Sequence, residues 1–162
     1  MFSIGCHLSS SGGFLAMGET ALAESWQSRD YLSHNHCMLG HLYSWLFSGI
    51  GGISQESGST AYKRIVIDPQ IVGDLRDARV SFRSPYGLIR SEWKDAPDEF
   101  VQTIEIPANA TARICLPATD PAKVTESGKP VSGRKDMAVE SGTDGRIELH
   151  VGSGVYRIAV EK

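Results

Sequence analysis

Residues 80–93 read VSFRSPYGLIRSEW, and the alternation of their apolar side chains decides the fold. Val80 and Phe82 alternate with Arg79, Ser81 and Arg83; beyond Ser84-Pro85-Tyr86-Gly87, Ile89 and Trp93 alternate with Arg90 and Glu92. In an extended chain a period of two puts apolar residues on one face and polar residues on the other. Pro and Gly between two such runs supply turn chemistry. Outward from this stretch the period recurs: Lys63, Ile65 and Ile67 about Arg64, Ile104 and Ile106 about Glu105, and Ala112, Ile114 and Leu116 about Arg113. It returns in Ile147, Leu149 and Val151 about Glu148, and in Tyr156, Ile158 and Val160 about Arg157. Turn residues separate these runs at Asp95-Ala96-Pro97-Asp98, Ser127-Gly128-Lys129-Pro130, Thr143-Asp144-Gly145 and Gly152-Ser153-Gly154. Short alternating strands at this spacing predict a mainly β fold, an antiparallel β-sandwich over residues 59–162. That length buries enough apolar surface to fold alone.

The chain before it has a different period. Phe14 to Gln27 fits a helix or a turn followed by a helix, with Thr20 as N-cap. Ser33 or Asn35 caps a second helix, in which Met38, Leu39, Leu42, Tyr43, Leu46 and Phe47 fall three and four apart, and Gly49, Gly51 and Gly52 end it. Residues 1–58 therefore read as a short α-helical segment that cannot build a core alone. Its stripe of Met38, Leu39, Leu42 and Leu46 needs a cover, because a large apolar patch seldom persists on a monomer. Either the helix folds back on the sheet or two chains form a homodimer through it.

Composition narrows the partners. Of 162 residues, 41% are hydrophobic and 22% charged, and the formal net charge is −3. Charges of both signs are interspersed, with no basic run for nucleic acid and no polybasic anchor for a membrane. Neutral small molecules are the natural ligand class. Cys6, Cys37 and Cys115 are odd in number and widely spaced, which fits neither a disulfide framework nor a zinc pattern. The opening MFSIGCHLSSSGGFLAMG lacks the basic start and unbroken apolar run of a secretory signal. Expressed as given, the chain is expected in the cytoplasm.

Chemistry concentrates between Gly18 and Gly51. Glu24 is followed by Trp26 and then by His34, His36 and His41. A carboxylate, an imidazole and aromatics together suit a sugar site. Each residue also has a plainer reading: Glu24 as a capping or exposed glutamate, His36 as a histidine bonded to backbone at a helix start, Trp26 as packing. A metal is disfavoured, since helical geometry turns His36 and His41 apart and no cysteine or carboxylate has matching spacing. No cofactor motif is present; there is no glycine-rich phosphate loop and no Gly-x-Ser-x-Gly.

The ordered set GETALAESW, SHNHCMLGHLYSWLFSGIGGI, AYKRIVIDPQ, VSFRSPYGLIRSEW, VTESGKPV and VGSGVYRI resembles the C-terminal end of the bacterial α-L-rhamnosidases, a glycoside hydrolase family. The resemblance implies the end of an (α/α)6 catalytic barrel over residues 1–58, then a C-terminal, jelly-roll-like β-sandwich over 59–162. The family hydrolyses α-L-rhamnosyl linkages with inversion, one carboxylic acid protonating the leaving oxygen while a second carboxylate activates water. By resemblance Glu24 takes the place of the general base, His36 that of a histidine reaching the sugar, and Trp26 that of a flanking aromatic. The family pattern has a tryptophan just before the base, where Ala23 stands here. The general acid lies further upstream in the family, and Glu19 does not match it.

Three readings follow. The chain is a fragment of an α-L-rhamnosidase, inactive alone, its parent acting on rhamnose-containing glycans. Or it is a non-catalytic carbohydrate-associated or protein-interaction module using Trp93, Tyr86 or Tyr62 on the sandwich surface. Or it is a small enzyme completed by a partner chain. The first is the expectation taken forward.

Overall fold

The computed structural model describes residues 17, 18, 21, 23–25, 31, 33, 34, 41–142 and 144–162. The chain divides into two compact units, Met1–Ser44 and Trp45–Lys162. Among the described residues, eleven strands follow a short helix α1 (His41–Trp45) and a π-turn (Leu46–Ile50). They are β1 (Ile53–Gln55), β2 (Arg64–Ile67), β3 (Asp77–Ser84), β4 (Gly87–Asp95), β5 (Glu99–Ile106), β6 (Thr111–Cys115), β7 (Val124–Glu126), β8 (Lys129–Pro130), β9 (Ala138–Ser141), β10 (Ile147–Val151) and β11 (Gly154–Glu161). No helix among the described residues is long and apolar enough to cross a membrane.

The strands form two sheets, one of six in the order β3-β4-β5-β11-β7-β8 and one of five in the order β1-β2-β6-β10-β9. Every pair is antiparallel except β2 with β6, which runs parallel. The period of two is met residue by residue. Along β5 Phe100, Gln102, Ile104 and Ile106 are buried while Val101, Thr103 and Glu105 are not, and along β10 Ile147, Leu149 and Val151 alternate with Glu148 and His150. Phe100, Ile104, Ile158 and Val160 from one sheet and Ile65, Ile67, Ile114 and Leu149 from the other belong to one buried cluster. Burying a side chain of this size stabilises by roughly 1.5–3 kcal/mol each.

Strands without clear alternation escaped the sequence reading. β1, β7 and β8 have two or three residues each, too few for a period to show, and none of the four residues of β9 is buried. The boundary expected between residues 58 and 59 has structure on its upstream side that belongs to the second unit: β1 pairs with β2 in the five-stranded sheet.

The predicted helix through Met38–Ile50 differs in its second half. Residues 35–40 lie outside the described residues; from Leu46 the chain widens into a π-turn, closed by Gly51 N–H donating to Leu46 O at 3.0 Å. Gly49 allows it, since a Cβ there would lie 2.6 Å from Trp45 Nε1. The glycines expected to stop the helix instead press it onto the sandwich. Gly51 sits where a Cβ would meet Val80 at 2.7 Å, and Gly52, at φ +67°, where one would meet Pro69 N at 2.2 Å. Gly49 O and Gly52 O accept from Gln70 and Asp68 N–H, each at 2.9 Å, and Ile50 O accepts from the Trp93 indole N–H at 2.8 Å. The stripe is split accordingly: Leu46 packs against the core, while Leu42 and Tyr43 remain exposed.

The aromatic platform expected on the sandwich surface is not formed. Trp93 is 3% exposed and stacks on Phe100 with centroids 6.3 Å apart. Tyr62 is half-buried, its ring 4.7 Å from that of Phe82. Both are held by the apolar joint between the π-turn and β3–β4, and Tyr86 stands alone in its turn.

Gly52→Ala forces a left-handed conformation at about 1–2 kcal/mol and drives a methyl into the Pro69 backbone. Gly128→Ala, at φ +75° with open space around it, carries only the first cost. Urea unfolding of the two variants is expected to show Gly52→Ala losing at least about twice the stability of Gly128→Ala; equal losses would mean the joint yields without strain.

Candidate functional site

Glu24 follows the fully buried Ala23 and is itself exposed. It lies in a bend, not in the helix expected around Thr20. Its backbone N–H donates to Ser33 O at 2.7 Å, and its carboxylate Oε2 accepts from Ser33 N–H at 3.4 Å. Backbone and side chain thus clasp the same residue across nine positions of chain. Oε1 accepts no hydrogen bond among the described residues. An exposed carboxylate with one oxygen held and the other open is competent to take a proton from water, the task of a general base. Trp26 and His36 lie outside the described residues, as does Glu19. His41 begins α1 and is exposed. Among the described residues no three His, Cys, Asp or Glu side chains gather as a metal site. In the first unit Glu24 is the one carboxylate described.

A second polar constellation covers the outer face of the five-stranded sheet, built by the outward positions of the same period. Arg113 on β6 donates to Glu148 Oε1 on β10 at 2.7 Å and to Cys115 Sγ at 3.4 Å. His150 Nε2 lies 3.5 Å from Glu140 Oε2 and 4.0 Å from Glu148 Oε2, within ion-pair reach but without hydrogen-bond alignment. Arg64 Nε donates to Glu56 Oε2 at 2.7 Å, and the guanidinium of Arg146 grips Asp68 through two bonds of 2.8 and 3.2 Å. An open depression of about 450 Å³ lies between Arg64, Thr111, Arg113 and His150. Cys115 is no nucleophile there. Burial, then the charge of Asp68, pushes its thiol up to about 11, with Arg113 opposing, and the thiolate is the reactive form. The arginines are consumed by their own carboxylates, so this face reads as an ion-pair network holding strands in register. The sequence carried Arg64, Arg113, Arg146 and Glu148 as alternating polar positions but gave no sign of Glu56, Asp68, Glu140 or His150; which stand opposite one another depends on strand order, and no local pattern encodes that.

Comparison with known proteins gives this geometry a context. Residues 52–130 match the family model of the bacterial alpha-L-rhamnosidase C-terminal domain. An alpha-L-rhamnosidase of Streptomyces avermitilis is 30% identical over 153 residues, which are 88% of this chain and 14% of that protein. One from Formosa agariphila is 26% identical over 130 residues, 80% of this chain and 14% of its own. Among solved structures, the Streptomyces avermitilis alpha-L-rhamnosidase complexed with L-rhamnose superposes with a TM-score of 0.75 at 28% identity, covering 96% of this chain and 15% of that one. That of Dictyoglumus thermophilum gives 0.75 at 27%, covering 93% and 17%. The chain thus spans about 14% of the length of the curated relatives it matches first. The matches extend past both ends of residues 52–130, into the segment that holds Glu24, since 88% of the chain is more than the second unit alone contains. In its sequence and its sandwich, the chain matches the C-terminal part of the bacterial α-L-rhamnosidases.

Proposed function

We propose that this chain acts as the C-terminal part of an inverting α-L-rhamnosidase, with the residues up to 58 contributing the end of a helical catalytic barrel and the sandwich a stabilising cap. The observation that carries the reading is a similarity to alpha-L-rhamnosidases that runs through the Glu24 segment as well as the sandwich. In this reading Glu24 is the general base, Oε2 steadied by Ser33 N–H and Oε1 left to take the proton from the attacking water. His36 and Trp26 contact the sugar.

Inversion needs a second carboxyl group, protonated, roughly 6.5–9.5 Å from the base so that water fits between base and sugar. Among the described residues of the first unit there is no carboxyl group besides that of Glu24. The substrates are rhamnose-containing glycosides, and the chain by itself does not turn them over. In this reading two copies pair through the short helix α1, whose Leu42, Tyr43 and Trp45 are 41–62% accessible.

Incubation of the chain with an aryl α-L-rhamnoside, beside Glu24→Gln, is expected to release no aryl alcohol above the uncatalysed rate in either case. Turnover that Glu24→Gln abolishes would overturn the fragment reading and require an acid from within this chain or its dimer. In sedimentation equilibrium the chain is expected to dimerise as its concentration rises, and Tyr43→Glu with Trp45→Glu to remain monomeric. A wild-type chain that stays monomeric throughout removes the pairing face from the proposal.

A further inference from the structure

We propose that the solvent face of the β3–β4 hairpin binds an anionic saccharide, one bearing carboxylate or sulfate groups, through Arg79, Arg83 and Arg90. Strand β3 is the edge of the six-stranded sheet. Its outward positions include Arg79, Ser81 and Arg83, all exposed. The register sets Ser81 opposite Arg90, Arg79 opposite Glu92 and Arg83 opposite Leu88. Arg90 is therefore diagonal to both edge arginines, a separation of about 7–8 Å. In the register the three arginines flank Ser81.

Their pairing state sets Arg79 and Arg83 apart from four other arginines of the sandwich; Arg157 on β11 likewise holds no carboxylate among the described residues, and Arg76 reaches Asp95 only at 3.6 Å. Arg64, Arg113, Arg134 and Arg146 each hold a carboxylate at hydrogen-bond distance. Arg79 and Arg83 make no side-chain hydrogen bond or ion pair with any described residue, and Arg90 reaches Glu105 and Glu92 only at 3.7 and 3.8 Å. Unpaired guanidinium forks beside a hydroxyl match the planar oxygens of a carboxylate or the oxygens of a sulfate. Next to them, an open depression of about 350 Å³ runs over Arg79, Glu92, Lys94 and Thr103. That is within the size range of small-molecule sites, and its mixed donors and acceptors suit sugar hydroxyls.

Charge spacing selects a saccharide over other polyanions. Glu92 and Glu105 sit within the patch and repel a ligand with closely spaced phosphates, whereas a sugar polymer with one acid group every residue or two can straddle them. The outward residues of β3, β4 and β5 include no aromatic, so bases have nothing to stack on. Among them only Leu88 and Val101 are apolar, which is too little to enter a membrane interface. Binding here is independent of the catalytic reading, since it uses no residue of the Glu24 segment.

Affinity electrophoresis of the whole chain in gels containing polygalacturonate, dextran sulfate or neutral dextran tests the assignment, with mobility referred to a polymer-free gel. Retardation is expected with polygalacturonate or dextran sulfate and not with dextran, the responding polymer identifying carboxylate or sulfate as the recognised group. The double variant Arg79→Glu/Arg83→Glu keeps charge on the edge strand and is expected to melt like wild type while binding at least about tenfold more weakly. Glu24→Gln should bind as wild type does. The proposal is overturned if no polymer retards the wild type, if neutral dextran retards it equally, or if the double variant is retarded as strongly. It is overturned too if single-stranded polynucleotide or poly-glutamate binds more tightly at equal charge concentration.

Discussion

The indole N–H of Trp93 donates to the carbonyl of Ile50, and the geometry at the head of the sandwich depends on that bond. Trp93 lies on β4 with its ring in the core against Phe100. An indole buried there would leave a costly unsatisfied donor. Ile50 ends the π-turn, where the last carbonyls of a helical segment lack partners of their own. Each group satisfies the other across forty-three residues. Gly51 and Gly52 follow from this closeness, since a Cβ on them would strike Val80 or the Pro69 backbone, whereas Gly49 makes room for Trp45 of the preceding turn. A chain leaving a helix normally has freedom in its first few residues. Here that freedom is removed by one side-chain bond and by backbone contact too close for any residue but glycine.

The legibility of the fold in the sequence follows from how local each determinant is. Strands β3, β4, β5, β10 and β11 could be read because five or more residues of strict alternation face one core. β7 was hidden because three residues cannot display a period, and β9 because none of its four residues is buried; the parallel pairing of β2 with β6 is a property of strand order, which alternation does not carry. The glycine run at 49–52 was visible, but its role was not: glycine as a helix stop and glycine as a close-approach residue look alike until the neighbour, Pro69 or Val80, is known. Trp93 shows the same limit. Its place in the alternation put it on the core side with Ile89, whereas as a large aromatic it also suggested a sugar platform, and packing decided for the core. For the catalytic candidates, the motif TALAESW drew attention to Glu24 through family likeness, yet the Ser33 clasp joins residues nine apart in irregular chain and leaves no pattern to find.

Strand register also explains why net charge was a poor guide to surface chemistry. With a formal charge of −3 and both signs interspersed, the chain shows no basic run. Folding sorts those charges unevenly. On the outer face of the five-stranded sheet the pairing of β6 with β10 brings Arg113 to Glu148, and the turn before β10 brings Arg146 to Asp68. Such half-exposed pairs each contribute little, about 0–1 kcal/mol, but as a network they favour one strand alignment over its neighbours, since a slip of one residue would turn every charge inward.

The six-stranded sheet is arranged otherwise, and the contrast bears on what the two faces are for. An exposed edge strand must avoid pairing with another chain, and charged side chains are one common means. That requirement is indifferent to sign and is met by a single lysine or glutamate. β3 carries two unpaired arginines flanking a serine, with a third on the adjacent strand at the diagonal positions. Protection of an edge gives no reason for the third, which lies inside the sheet and not at its border. Nor does it explain why Arg79 stays apart from Glu92, the residue directly opposite it, while Arg64, Arg113, Arg134 and Arg146 close on carboxylates. Three like charges gathered with only the loose pairs of Arg90 to Glu92 and Glu105 between them oppose folding slightly, and a patch held at that cost is better accounted for by a ligand that neutralises it than by the edge it borders.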